Sequence, residues 1–90
     1  MNEAGLIKIM KVLANKSRLK ILRMIMANPE SLCLYDMVNA MNMPMATIHF
    51  HLKKLEAAKI ISAKHKGVKV MFSANHILID TFQKDISSFL

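Results

Sequence analysis

Ala46-Thr47-Ile48-His49-Phe50-His51-Leu52-Lys53-Lys54-Leu55-Glu56-Ala57-Ala58-Lys59-Ile60-Ile61, continuing as Ser62-Ala63-Lys64-His65-Lys66-Gly67-Val68-Lys69-Val70-Met71-Phe72, is the stretch on which the reading of this chain turns. In its first half Ile48, Leu52 and Leu55 recur at helical spacing and form a stripe to be buried, with Met45 and His51 at its edges. Ala46, Thr47, His49, Phe50, Lys53, Lys54 and Ala57 are left for the outward side. From Ile60 the period shortens to about two, and β-branched and aromatic residues flank Lys66-Gly67. That pattern predicts a hairpin with strands from Ile61 to Lys64 and from Lys69 to Ser73. The whole stretch holds six lysines, Lys53, Lys54, Lys59, Lys64, Lys66 and Lys69, against one acid, Glu56.

The remainder of the chain fits around this unit. Leu6, Ile9, Met10 and Leu13 predict a short first helix. Asn15 can cap a second, with Leu19, Leu22, Ile25 and Met26 on its inner face, Ile21 broadening it, and Arg18, Lys20 and Arg23 outward. Asn28-Pro29 ends that helix, because the residue before proline avoids the helical region. A third helix runs from Leu34 to Met41 and buries Leu34, Met37, Val38 and Met41. Asn42-Met43-Pro44 is the turn, with Pro44 suited to the first helical position of the fourth helix, where its missing N–H costs nothing. Asn75 can cap a last helix striped by Leu78, Phe82, Ile86 and Phe89. The predicted fold is mainly α with a small β-hairpin, in the order α-α-α-α-β-β-α. Residues 1–14 and 75–90 form terminal helices, 34–59 a helix-turn-helix unit and 60–73 the hairpin.

Ninety residues, 53% of them hydrophobic, support one domain with a modest core, and a chain this small has little burial to spare. A dimer follows readily, since the terminal helices carry more apolar surface than the middle helices can cover. A net charge of +7 and a pI of about 9.9 call for an anionic partner, nucleic acid first and an acidic membrane surface second. Nothing approaches the roughly 18 apolar residues of a membrane span, and the N-terminus, with Glu3 and no basic start, does not read as a signal peptide. The single cysteine, Cys33, excludes an internal disulfide and fits a reducing cytoplasm.

Three segments resemble the ArsR/SmtB family of winged helix-turn-helix repressors. Val12-Leu13-Ala14-Asn15-Lys16-Ser17-Arg18-Leu19-Lys20-Ile21-Leu22 is similar to that family's leucine-alanine start with Arg-Leu-x-Ile-Leu. Ser31-Leu32-Cys33-Leu34-Tyr35-Asp36-Met37 is similar to the segment that can hold a Cys-Val-Cys metal motif, and Thr47 to Ala58 to the recognition helix. The resemblance spans about residues 6–74 and implies a homodimeric repressor of double-stranded DNA, joined through its terminal helices at Leu6, Ile9, Met10, Leu13, Leu78, Phe82, Ile86 and Phe89. Lys59 replaces the glycine that usually ends the recognition helix, which predicts a less sharply capped end. The Met43-Pro44 turn replaces the usual serine cap before it.

On DNA, Ala46, Thr47, His49, Phe50, Lys53 and Lys54 of the helix and Lys64, Lys66 and Lys69 of the wing are the expected contacts. Thr47 and His49 are the candidates for base edges, and Phe50 for thymine methyls. No Arg, Gln or Asn lies between Met45 and Lys59, so forked readout of guanine or adenine is not available from this helix, and lysine offers only a point charge. Shape and backbone contacts should therefore supply much of the affinity. His51, nearer the buried edge, reads as a packed, hydrogen-bonded histidine.

No cofactor is expected. Tyr35 stands where the second cysteine of the metal motif would be, and a soft-metal thiolate site needs two to four cysteines. His76 and Asp80 lack a later histidine. Cys33 without a resolving partner reads as a small buried hydrophobe, and the nine methionines as Leu-like core filling. The chain lacks a phosphate loop, a nucleophile elbow or a spaced acid pair, so it does not read as an enzyme. Two alternatives to a repressor stay open: a plasmid or phage partition adaptor coating centromere repeats, and a protein-interaction module built on the terminal helices. An unknown effector or protein partner is compatible with each.

Overall fold

The computed structural model describes all 90 residues as five helices and one hairpin. They are α1 (Glu3–Leu13), α2 (Lys16–Ala27), α3 (Leu34–Met41), α4 (Met45–Ala57), β1 (Ile61–Lys66), β2 (Lys69–Ala74) and α5 (His76–Phe89). Each boundary has a local cause. Asn2, Asn15 and Asn75 cap α1, α2 and α5, their side-chain oxygens accepting from the N–H groups of Gly5, Arg18 and Leu78 at 2.8, 3.0 and 3.1 Å. At the end of α3, Asn42 takes the left-handed conformation (φ 51°), which asparagine tolerates, and the chain turns into α4.

Pro44 caps α4 instead of opening it. With ψ at 144° it is extended, and its carbonyl accepts from the N–H groups of Thr47 and Ile48. The far end of α4 also differs from expectation. Lys59 adopts φ 63°, the conformation a glycine would supply, and the Lys59 and Ile60 N–H groups donate to the carbonyls of Glu56 and Leu55 at 2.9 and 3.0 Å. This is a complete Schellman closure, accompanied by burial of both Leu55 and Ile60. The helix end is thus sharp, and the β-carbon of Lys59 bears the cost.

The core joins α2, α3, α4 and the hairpin. Ile21 and Ile25, Met37, Ile48 and Leu55 are each 0% exposed and pack with Leu22, Leu52, Ile60, Ile61 and Phe72. On α2 the inner face is rotated from the one expected: Ile21, Leu22 and Ile25 are buried, whereas Leu19 and Met26 are exposed. Positions 18, 21, 22 and 25 form one stripe at 100° per residue, and the stem of Arg18 belongs to it. Arg18 is half-buried, and its Nε donates to the Val12 carbonyl at 2.6 Å, tying α2 to the end of α1.

The strands are longer than the predicted ones, pairing antiparallel from Ile61↔Ala74 to Lys66↔Lys69 and leaving a two-residue turn at Gly67-Val68. Positive φ falls on Gly67 alone (64°), as a turn with glycine at its first central position requires. A bridge between Cys33 and Met71 anchors the hairpin to the segment before α3.

Of the terminal-helix residues expected between subunits, Leu6 and Ile9 are instead covered within the protomer, at 2% and 6% exposure. Met10 and Phe89 are exposed, and Leu13, Leu78, Phe82 and Ile86 are half-buried. No residue of α5 is fully buried, and Ile7 and Ile77 add to the open apolar surface. No helix is long and apolar enough to cross a membrane.

Candidate nucleic-acid interface

Two structural elements bring the candidate side chains to the surface. Along α4 the buried positions are Ile48, His51, Leu52 and Leu55. Ala46, His49, Phe50, Lys53, Lys54 and Ala57 share the opposite side, each having another of them three or four residues away, and all are exposed. Thr47 lies beside this face and is half-buried, so His49 is the better-placed polar group for a base edge. Phe50 remains about half exposed, and Lys54 Nζ stands 5.4 Å from its ring centroid, within cation–π range.

The hairpin sorts its residues by alternation. Lys64 and Lys66 on β1 share a face with their partners Met71 and Lys69 on β2, which places all three candidate wing lysines together and exposed. Ala63, His65, Val70 and Phe72 occupy the opposite face, toward α4. Lys66 and Lys69 stand directly across the ladder from one another, and like charges so placed repel. The only ion pair within 4 Å in the structure joins the Met1 amino group to Asp85, so none of the lysines on α4 or the wing has an acidic partner at that range.

Behind the interface His51 is 8% exposed, and its ring meets that of Phe50 edge-on at a centroid distance of 5.6 Å. It is buried beyond the edge position expected, and its Nδ1 has no hydrogen-bond partner, contrary to the hydrogen-bonded histidine anticipated. Burial, with repulsion from Arg18, holds its pKa below the usual histidine value and keeps the ring neutral. Neutrality suits a side chain packed behind a face that is otherwise cationic.

Cys33 is half-buried and serves as the N-cap of α3, not as a core hydrophobe. Its N–H donates to Asp36 Oδ2 at 2.9 Å and its Sγ lies 3.2 Å from the same oxygen. These bonds, with Lys69 nearby, hold the Asp36 carboxyl below the usual carboxylate range. Tyr35 is exposed. No three His, Cys, Asp or Glu side chains stand together as metal ligands would, and one thiol beside one carboxylate does not fit a four-coordinate thiophilic centre.

A groove of about 540 Å³ separates α4 from the wing. Its lining includes Leu34, expected in the core but half-buried here, and Ala63, His65 and Val70, which the reading of the sequence did not single out; the alternation of β1 and β2 was the signal that could have marked these three.

Comparisons with known proteins agree with this architecture. The model of a helix-turn-helix domain family matches residues 13–62. An arsenical resistance operon repressor of Staphylococcus xylosus is 28% identical over 78 residues, covering 87% of this chain and 73% of that protein. The chain superposes on an ArsR-like transcriptional regulator from Rhodococcus sp. RHA1 with a TM-score of 0.84 at 15% identity, over 96% of this chain and 79% of the other. It also superposes on the homodimeric winged helix-turn-helix DNA-binding domain of a possible ArsR-family regulator from Mycobacterium bovis, with a TM-score of 0.77 at 19% identity, over 94% and 78%. With a matched segment running from the end of α1 through α4 into the wing, the chain belongs to the helix-turn-helix domain family and has the winged helix-turn-helix fold of these neighbours.

Proposed function

We infer that this protein binds double-stranded DNA and represses transcription by covering promoter sequence. The observation that carries the reading is the unpaired cationic surface formed by the outward face of α4 and the lysine face of the wing. The repulsion between Lys66 and Lys69 is relieved when phosphates approach, so the wing gains from a polyanion what it lacks within the protein. Ala46, Thr47, His49 and Phe50 enter the major groove, Lys53 and Lys54 sit near its edge, and Lys64, Lys66 and Lys69 follow phosphates. The names of the staphylococcal relatives weigh toward a promoter and away from an array of centromere repeats.

The working form is a homodimer in which α1 and α5 meet their counterparts. Support comes from α5, which has no buried residue, and from exposed Ile7, Met10, Ile77 and Phe89. Two-fold symmetry places the two α4 helices in successive major grooves, roughly 34 to 36 Å apart, on an imperfect palindrome. A salt titration of duplex binding tests the assignment. The Lys66→Ala/Lys69→Ala double variant should bind all sequences more weakly and flatten the log–log salt slope by about 1 to 2 units. An unchanged slope would remove the wing from the interface.

A further inference from the structure

The groove between α4 and the wing has a character that DNA does not use. Its lining is largely apolar, including Leu34, Leu52, Val70 and Phe72, and Lys53 of α4 and Lys69 at the start of β2 also belong to it. Its volume, about 540 Å³, lies in the range of small-molecule sites. A phosphodiester strand passing over the mouth would satisfy the two lysines and leave the apolar lining uncovered. Neither lysine is in an ion pair. Glu56 is the single acid in the lining, leaving a small positive balance that suits a monoanion better than a polyanion. Asp36, which lies outside the lining and feels Lys69, is already engaged by the N–H and thiol of Cys33.

We propose that this groove binds a small amphipathic organic monoanion, its hydrocarbon body on the apolar lining and its carboxylate or sulfonate engaged by Lys53 and Lys69, and that this occupant and duplex DNA each weaken the binding of the other. The binding site stands on the groove alone; the antagonism rests on the DNA-binding reading above. An occupant would engage two of the cations assigned to phosphate, cancel one of their charges and fix the spacing between helix and wing. By linkage, DNA would weaken the ligand by the same factor as the ligand weakens DNA.

The chain's only cysteine, Cys33, lies in the lining and provides a reporter. The test uses the full chain without DNA and anilinonaphthalene sulfonate as probe, with uncharged phenylnaphthylamine as control. The sulfonate should saturate at one molecule per chain, bind more tightly than the uncharged control, and slow alkylation of Cys33 by iodoacetamide several-fold. Ala63→Leu, which fills the groove from the wing, should abolish the saturable signal while the circular-dichroism spectrum is retained. If that variant fails to fold, protection of Cys33 in the unaltered chain still decides. Unprotected Cys33 would place the probe on the open faces of α1 and α5 and overturn the proposal. In a second arm, saturating sulfonate should weaken binding to a selected duplex by about fivefold or more, the lower end of ordinary coupling. Protection of Cys33 in a chain that binds no duplex would leave the ligand site standing and refute the DNA reading and the antagonism. Duplex binding indifferent to a bound sulfonate would overturn the antagonism alone.

Discussion

Replacing Lys59 by glycine should relieve a conformational cost built into the end of the recognition helix. At φ 63° a residue with a β-carbon meets the following carbonyl, which costs about 1 to 2 kcal/mol. Glycine avoids that contact but loses about 0.5 to 1 kcal/mol through the greater freedom of its unfolded chain. Removing the lysine also removes a cation near a helix C-terminus, worth about 0.3 to 1 kcal/mol. The charge can be separated from the backbone by comparing Lys59→Gly with Lys59→Ala, which lack the same charge and differ only in the β-carbon. We expect the glycine variant to be the more stable of the two by about 1 kcal/mol, or about 4 to 8 °C in melting temperature for a domain of this size. Thermal and urea unfolding followed by circular dichroism would measure the difference, with equal m-values confirming that stability alone has changed. A glycine variant that melts with or below the alanine variant would refute the assignment of left-handed strain to this residue.

Two further outcomes follow from the same packing. Because the folded pKa of His51 lies below the ordinary value of 6.5, the unfolded chain takes up its proton first, and stability falls as pH drops below about 6.5, by no more than about 1.4 kcal/mol per unit. His51→Leu should flatten that slope, and an unchanged pH dependence of the urea midpoint would place the titrating group elsewhere. Asn75→Ala removes the cap of α5 and the donor to the Lys59 carbonyl, and should cost about 1 to 2 kcal/mol in denaturant unfolding; a change within error would show that water replaces both bonds.

Local rules made much of this fold legible from sequence. Asn15 and Asn75 marked helix starts because a side-chain oxygen three residues before a free N–H is a short-range device. The α3 boundaries and the helix-to-hairpin change at Ile60 were equally local. The misreadings arose where tertiary contact decides. Leu19 and Ile21 are both apolar, and only the direction from which α1 and α4 approach α2 sets which is covered. Leu6 and Ile9 carried the same ambiguity between a protomer's core and a subunit seam. Lys59 shows the opposite case: the backbone geometry expected of glycine is kept after the residue has changed, held by the burial of Leu55 and Ile60 on either side of it. The lysine-bearing outer face was visible as composition, whereas the groove behind it needed the register Ala63↔Phe72 and His65↔Val70.

The side chain of Asn75 works at two places at once. Its oxygen accepts from Leu78 at the start of α5, its amide donates to the Lys59 carbonyl just past α4 at 3.0 Å, and its own N–H donates to the Ile60 carbonyl at 2.8 Å. These bonds lash the root of the last helix to the heel of the recognition helix, so the two behave as arms of one bracket with the wing looped out between them. In an assembly seated on α1 and α5, a tilt of α5 against its counterpart would swing α4 by leverage. The pitch at which two such readers straddle the double helix would then be set at a hinge remote from any base.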